Sequence, residues 1–210
     1  MLIRMTQNQK SCLESALRTM EPFYRNELEP LCIQIGHCYN IPDENIHLAA
    51  GIIKSLPKGV TSPIPQKANE LHVFSQKMLN GGMVQVNKNW TIELNDSEQR
   101  LLAHTLDVYS RLLMGQLHMI FEELDIDIPD NPHLLDFWHD ARWNGAGGMI
   151  EVRNLLFPDL KSFGWNGGYG ISNPKVAFFS RLAYQMRKAL LNPNDFILPV
   201  TDEPPLTIQT

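Results

Sequence analysis

From Asn95 onward, Leu102, Leu106, Tyr109, Leu113, Leu117, Ile120 and Leu124 recur every three or four residues. That spacing places apolar side chains on one face of an α-helix. A stripe this long must be covered by other elements, so the chain has to build layers of helix around it. Asn95 with Glu98 three residues later reads as a capping box, which fixes the start of the helix. The stripe predicts that it runs to about Leu124.

Proline divides the first third of the chain into shorter pieces. Residues 7–20 carry Leu13, Ala16, Leu17 and Met20 at helical spacing. Pro22 is placed to open a second helix through Leu28, Leu31 and Ile35, with Pro30 kinking or breaking it. A third helix is expected after Pro42, with Asp43 and Glu44 at its positive end and Ile46, Ala49, Ala50 and Ile53 turned inward. Residues 57–65 hold three prolines and a glycine, a composition that disfavours helix. A helix over 66–79 then stops at Asn80-Gly81-Gly82.

The period next changes to two. Met83-Val84-Gln85-Val86 and Trp90-Thr91-Ile92-Glu93-Leu94 flank a polar Asn87-Lys88-Asn89, the pattern of a small hairpin. A lone hairpin is marginal in water, so it must pack on helices or pair with another strand. Further helices are expected over 133–142 and 149–156. A last one opens at Asn173-Pro174 and buries Val176, Phe179, Leu182, Ala183, Met186 and Leu190. The fold class is therefore mainly α, a compact multi-helix domain with one small β-hairpin near 83–94. The chain divides into an N-terminal helical region (1–57), a Pro-rich linker (58–65), a main α-rich domain (66–198) and an extended tail (199–210).

With 210 residues the chain can bury a core without disulfides or a metal. Its 18 basic and 23 acidic residues give a net charge of −5, which argues against general nucleic-acid binding. No apolar run approaches the ~20 residues needed to cross a bilayer, and no signal-peptide pattern is present. Three cysteines, Cys12, Cys32 and Cys38, do not make a disulfide scaffold, so a reducing cytoplasm is the expected setting.

Three regions could carry chemistry. On the long helix, His104, Asp107, Arg111, Gly115, His118 and Glu122 fall within roughly a 60° arc at about 100° per residue. They could hold an anion or a partner, or form a solvated face with Asp107 and Arg111 as an ordinary pair. A glycine inside a helix costs roughly 1 kcal/mol, so Gly115 suggests a close approach there. In the second region Trp138, His139, Asp140, Arg142 and Trp143 precede Gly145-Ala146-Gly147-Gly148, so rings and a guanidinium adjoin flexible backbone. Such a set suits a base and its phosphate, although tryptophans at this spacing also serve as core packing. The third region, residues 163–174, sets Trp165 and Tyr169 among four glycines before a helix N-terminus, where anions are favoured.

The ligand-binding candidates are Arg111, Trp138, His139, Arg142, Trp143, Arg153, Trp165 and Tyr169. The arginines would neutralise phosphate and the tryptophans would stack a base. No cofactor is implied. Cys32, His37 and Cys38 lack a fourth metal ligand at recognisable spacing. Glu122, Asp136, His139 and Asp140 could hold Mg²⁺ in an all-α nucleotide hydrolase, but the paired acidic signatures of that class are missing. No nucleophile-elbow motif occurs.

Two segments carry a resemblance. Leu106-Asp107-Val108-Tyr109-Ser110-Arg111-Leu112-Leu113-Met114-Gly115-Gln116, and Tyr169-Gly170-Ile171-Ser172-Asn173 through Arg181-Leu182-Ala183-Tyr184-Gln185, resemble segments of uncharacterised bacteriophage and prophage accessory proteins. The likeness covers about 95–192. It implies a small viral protein acting in the bacterial host cytoplasm, and no activity transfers with it. Accessory proteins of this kind often inhibit host systems, an association rather than a derivation. The reading that follows is a non-enzymatic anti-defence protein. It would sequester a nucleotide-type signal or bind a host defence protein, and it would form a homo-oligomer. A Mg-dependent nucleotide hydrolase and a structural phage component are the alternatives.

Overall fold

The computed structural model describes residues 1–38, 40–55, 63–117, 149–157, 173–192 and 200–209. The protein is mainly α-helical with a small antiparallel sheet. Strand β1 (Leu2–Met5) leads into α1 (Gln7–Tyr24). Thr6 and Gln9 cap α1 reciprocally: the Gln9 N–H donates to Thr6 Oγ1 (3.2 Å) and the Thr6 N–H to Gln9 Oε1 (2.8 Å). Pro22 lies within the last turns of α1 rather than opening a new helix, so only a terminal hydrogen bond is forgone.

Helix α1 ends instead at Asn26, whose φ of 60° reverses the chain. The Asn26 N–H reaches Phe23 O (2.9 Å) and the Glu27 N–H reaches Pro22 O (2.9 Å), the paired bonds of a left-handed helix stop. Helix α2 (Leu28–Cys38) follows with Pro30 in its first turn, where a missing N–H has no intrahelical partner to lose. A second stop of the same kind is built on Asn40 (φ 55°). Helix α3 (Asp43–Lys54) buries Ile46, Ala49, Ala50 and Ile53, as the spacing predicts. Helices α2 and α3 meet closely, since a Cβ on Gly36 would lie 2.4 Å from Ile46 Cγ1.

Helix α4 (Pro65–Lys77) closes in a wide turn (Met78–Gly82) with Gly81 at φ 112°. The expected hairpin is formed by β2 (Val84–Val86) and β3 (Asn89–Glu93). Asn87 and Lys88 both have positive φ in the connecting turn, which matches the twist of paired strands. The hairpin does not stand alone. Strand β1 pairs with β3, and its other edge pairs with β4 (Thr207–Gln209) from the tail. The order β2-β3-β1-β4 aligns Ile92, Ile3 and Ile208 in one row.

The tail is also tied by side chains. Gln185 accepts from the Val200 N–H (3.2 Å) and Thr201 Oγ1 (3.0 Å) and donates to Glu203 O (2.9 Å). The Glu203 carboxylate in turn accepts from Thr6 Oγ1 (2.6 Å) and from the Asn8 amide at the start of α1.

Helix α5 (Asp96–Leu113) begins at the Asn95–Glu98 box as expected but does not continue to Leu124. Gly115, at φ 73°, stops it: its N–H reaches Leu112 O (2.9 Å) and the Gln116 N–H reaches Arg111 O (3.1 Å). Gly115 is a terminator, not a mid-helix gap, and this accounts for a glycine at a position the stripe alone reads as helical. The apolar stripe survives the break because Leu117 is still buried after the turn.

Helix α6 (Met149–Leu156) packs mainly on α3, and α7 (Pro174–Leu191) forms with α5 the most extensive helix pair among the described residues. Two small residues meet at that crossing. Ser110 Oγ donates to Ser180 O (2.9 Å) and Ser180 Oγ to Ser110 O (3.1 Å), with both residues fully buried. No residue of α5 or its closing turn from 101 to 117 is fully exposed.

Two glycines separate packing from propensity. Gly36→Ala should lower stability by about 1–3 kcal/mol through overpacking against Ile46. Gly51, on α3 with open space at its Cβ position, should gain roughly 0.5–1 kcal/mol as Gly51→Ala. Urea unfolding of the two variants measures the opposite signs.

Candidate functional site

The α5 face carrying His104, Asp107, Arg111 and Gly115 is engaged inside the protein. The His104 ring stacks on buried Tyr24 of α1, with centroids 6.4 Å apart and planes at 22°. Asp107 lies between two arginines, Arg187 Nε at 3.1 Å and Arg111 Nη2 at 3.6 Å. The i,i+4 pair read from the sequence exists, and the stronger partner comes from α7. His118 and Glu122 lie outside the described residues.

Of the ligand-binding candidates, Arg111 and Arg153 are described; Trp138, His139, Arg142, Trp143, Trp165 and Tyr169 lie outside the described residues, as do Asp136 and Asp140. Arg111 is partly exposed at the end of α5 and keeps one face toward Asp107. Arg153 is 8% exposed on α6, where burial lowers its pKa below the ordinary guanidinium value. The two sit in different packing units, one on the α5–α7 pair and the other on α6 against α3.

Cys32 is buried in α2, where desolvation, helped by nearby Glu29, pushes its thiol up to about 12. It is therefore a protonated core thiol at neutral pH rather than a ready metal ligand. Cys12 is raised in the same way by burial and its Sγ–H faces Phe179 O. Among the described residues no group of three His, Cys, Asp or Glu side chains could hold a metal ion.

The sequence makes the N-terminus of α7 a candidate anion site. Asn173 Oδ1 already accepts from the Lys175 N–H (3.1 Å) and the Val176 N–H (3.4 Å), so the cap occupies donors an anion would need. Beside it lies an open groove of about 650 Å³ between α2 and the start of α7, lined by Pro30, Ile33, Gln34, His37 and Lys175. One wall is apolar, and two side chains can carry positive charge. In the sequence His37 stands out only beside Cys32 and Cys38, and Lys175 belongs to no motif. The only local signal for Lys175 is its place just inside the Asn173-Pro174 helix start.

No family model matches the chain, and no curated protein or solved structure does. No helix among the described residues is long and apolar enough to cross a membrane.

The asymmetry around Asp107 gives a direct expectation. Arg187→Ala should cost about 1 kcal/mol in unfolding free energy, because it removes a short, largely enclosed ion pair. Arg111→Ala should cost less than ~0.5 kcal/mol, since its contact is longer and its side chain more exposed. Equal losses in denaturant titrations would contradict this ordering.

Proposed function

We propose that the protein is a non-enzymatic, phage-encoded binding protein of the host cytoplasm that counters a defence system by sequestering a nucleotide-type signal. The observation that carries this reading is the groove between α2 and α7. Pro30 and Ile33 suit the face of a base, while Lys175 and His37 suit its phosphate. Gln34 offers both a donor and an acceptor to a base edge. Trp165 and Tyr169, which lie outside the described residues, precede Lys175 by ten and six residues in the sequence. The resemblance to phage accessory proteins supplies the biological setting.

A second reading, direct binding of a host protein, is favoured by the exposed face of α7. Assembly into a homo-oligomer is supported by Val84 and Val86, both about half exposed on the outer strand of the sheet.

A thermal-shift and mass-spectrometric screen tests the main reading, using cyclic di- and trinucleotides, ADP-ribose derivatives and NAD with and without Mg²⁺. The expected result is a stabilising shift with the ligand recovered intact. Lys175→Glu should weaken that ligand by ~10-fold or more, the loss of one charge-assisted contact. A chemically altered ligand would put the Mg-dependent hydrolase ahead, and no shift with any nucleotide would remove the small-molecule reading.

A further inference from the structure

Helix α7 carries Lys175, Arg181, Arg187 and Lys188 and no acidic residue, in a chain whose net charge is −5. One face of this helix is buried against α5. On the opposite side Ala177, Arg181, Tyr184, Lys188 and Leu191 follow one another at steps of four, three, four and three. That alternation is the heptad spacing of a seam that receives another helix. Arg181 is exposed, Tyr184 is 40% and Leu191 48% exposed, and Ala177 and Lys188 are half-buried.

Arg187 lies off this seam and is paired with Asp107. Neither Arg181 nor Lys188 has a carboxylate partner among the described residues. Lys188 Nζ instead lies over the Tyr184 ring, 5.6 Å from its centroid.

We propose that this seam docks an acidic amphipathic helix of a partner protein. Ala177, Tyr184 and Leu191, seven residues apart at one seam position, receive apolar side chains, and Arg181 and Lys188, at the alternate seam position, pair with flanking carboxylates. A second copy of the same face is a poor occupant, because either orientation sets cations against cations. Nucleic acid fits less well, since two seam cations neutralise few phosphates and the rest of the chain repels them. The seam shares no residue with the α2–α7 groove, so either reading can fail alone.

The test uses the whole protein and a fluorescent three-heptad peptide with Leu at a and d and Glu at e and g. A permuted peptide of identical composition serves as the control, and binding is followed by fluorescence anisotropy at low and physiological salt. The heptad peptide should bind more tightly than the permuted one and weaken with salt. In Arg181→Glu/Lys188→Glu its affinity should fall by ~10-fold or more, while a Lys-for-Glu peptide gains. Tyr184→Ala should weaken binding and leave the salt slope unchanged. Circular dichroism of each variant checks that these surface changes leave the fold intact. Equal binding of the permuted peptide, no binding of the heptad peptide, or its displacement by single-stranded DNA would each overturn the proposal.

Discussion

The crossing of α5 and α7 sets the geometry of everything around it. Ser110 and Ser180 are small enough to let the two helices approach, and each hydroxyl donates to the other residue's main-chain carbonyl. Their polar atoms are thereby satisfied in a place where an unpaired hydroxyl would be costly. Around this contact Leu106, Leu113, Leu182, Ala183 and Met186 are buried. Helix α1 adds a third side through Tyr109, whose hydroxyl lies 2.8 Å from Ser15 Oγ. From Leu101 on, the helix is largely covered, with His104 and Asp107 of its charged arc turned toward Tyr24 and Arg187 and Arg111 left partly exposed at its end.

That enclosure decides which surfaces are free to act. Asp107 and Arg187 hold part of the charge of the α5–α7 pair inside the fold. The outer face of α7 is left with cations and no acidic residue of its own helix to answer them. Its first turn contributes Lys175 to the groove opposite α2. One helix therefore carries a buried packing face, one wall of a groove and an outward basic seam. The tail crosses the same helix at Gln185 and then supplies β4, so the C-terminal segment, the sheet and α7 are positioned together.

Much of this architecture was legible where one physical signal acted alone. The Asn95–Glu98 box, the inward row of α3 and the polar turn between β2 and β3 all form where the residue pattern puts them. The end of α5 is not legible because two signals conflict: the apolar stripe runs on through Leu117, while Gly115 breaks the helix. Pro22 drew the α1 boundary forward, yet Asn26 with its positive φ sets it. Strands β1 and β4 are too short to show a period, and their pairing arises from contact between distant parts of the chain. The groove does not show in the sequence for the same reason, since His37 and Lys175, far apart in the chain, line it together only in the folded structure. Among the described site candidates, Arg153 reads in sequence as a phosphate-neutralising cation, and in the fold it is buried by the helices around it.

Native-state hydrogen exchange measures most directly whether the α5–α7 crossing is the scaffold of the molecule. Amides of both helices near Ser110 and Ser180 should exchange only through global unfolding, with the same free energy and the same denaturant dependence. Amides of β4 should open locally and sooner. Exchange of α7 through a partial opening that leaves α5 protected would contradict the account, because the two helices would then not be one cooperative unit.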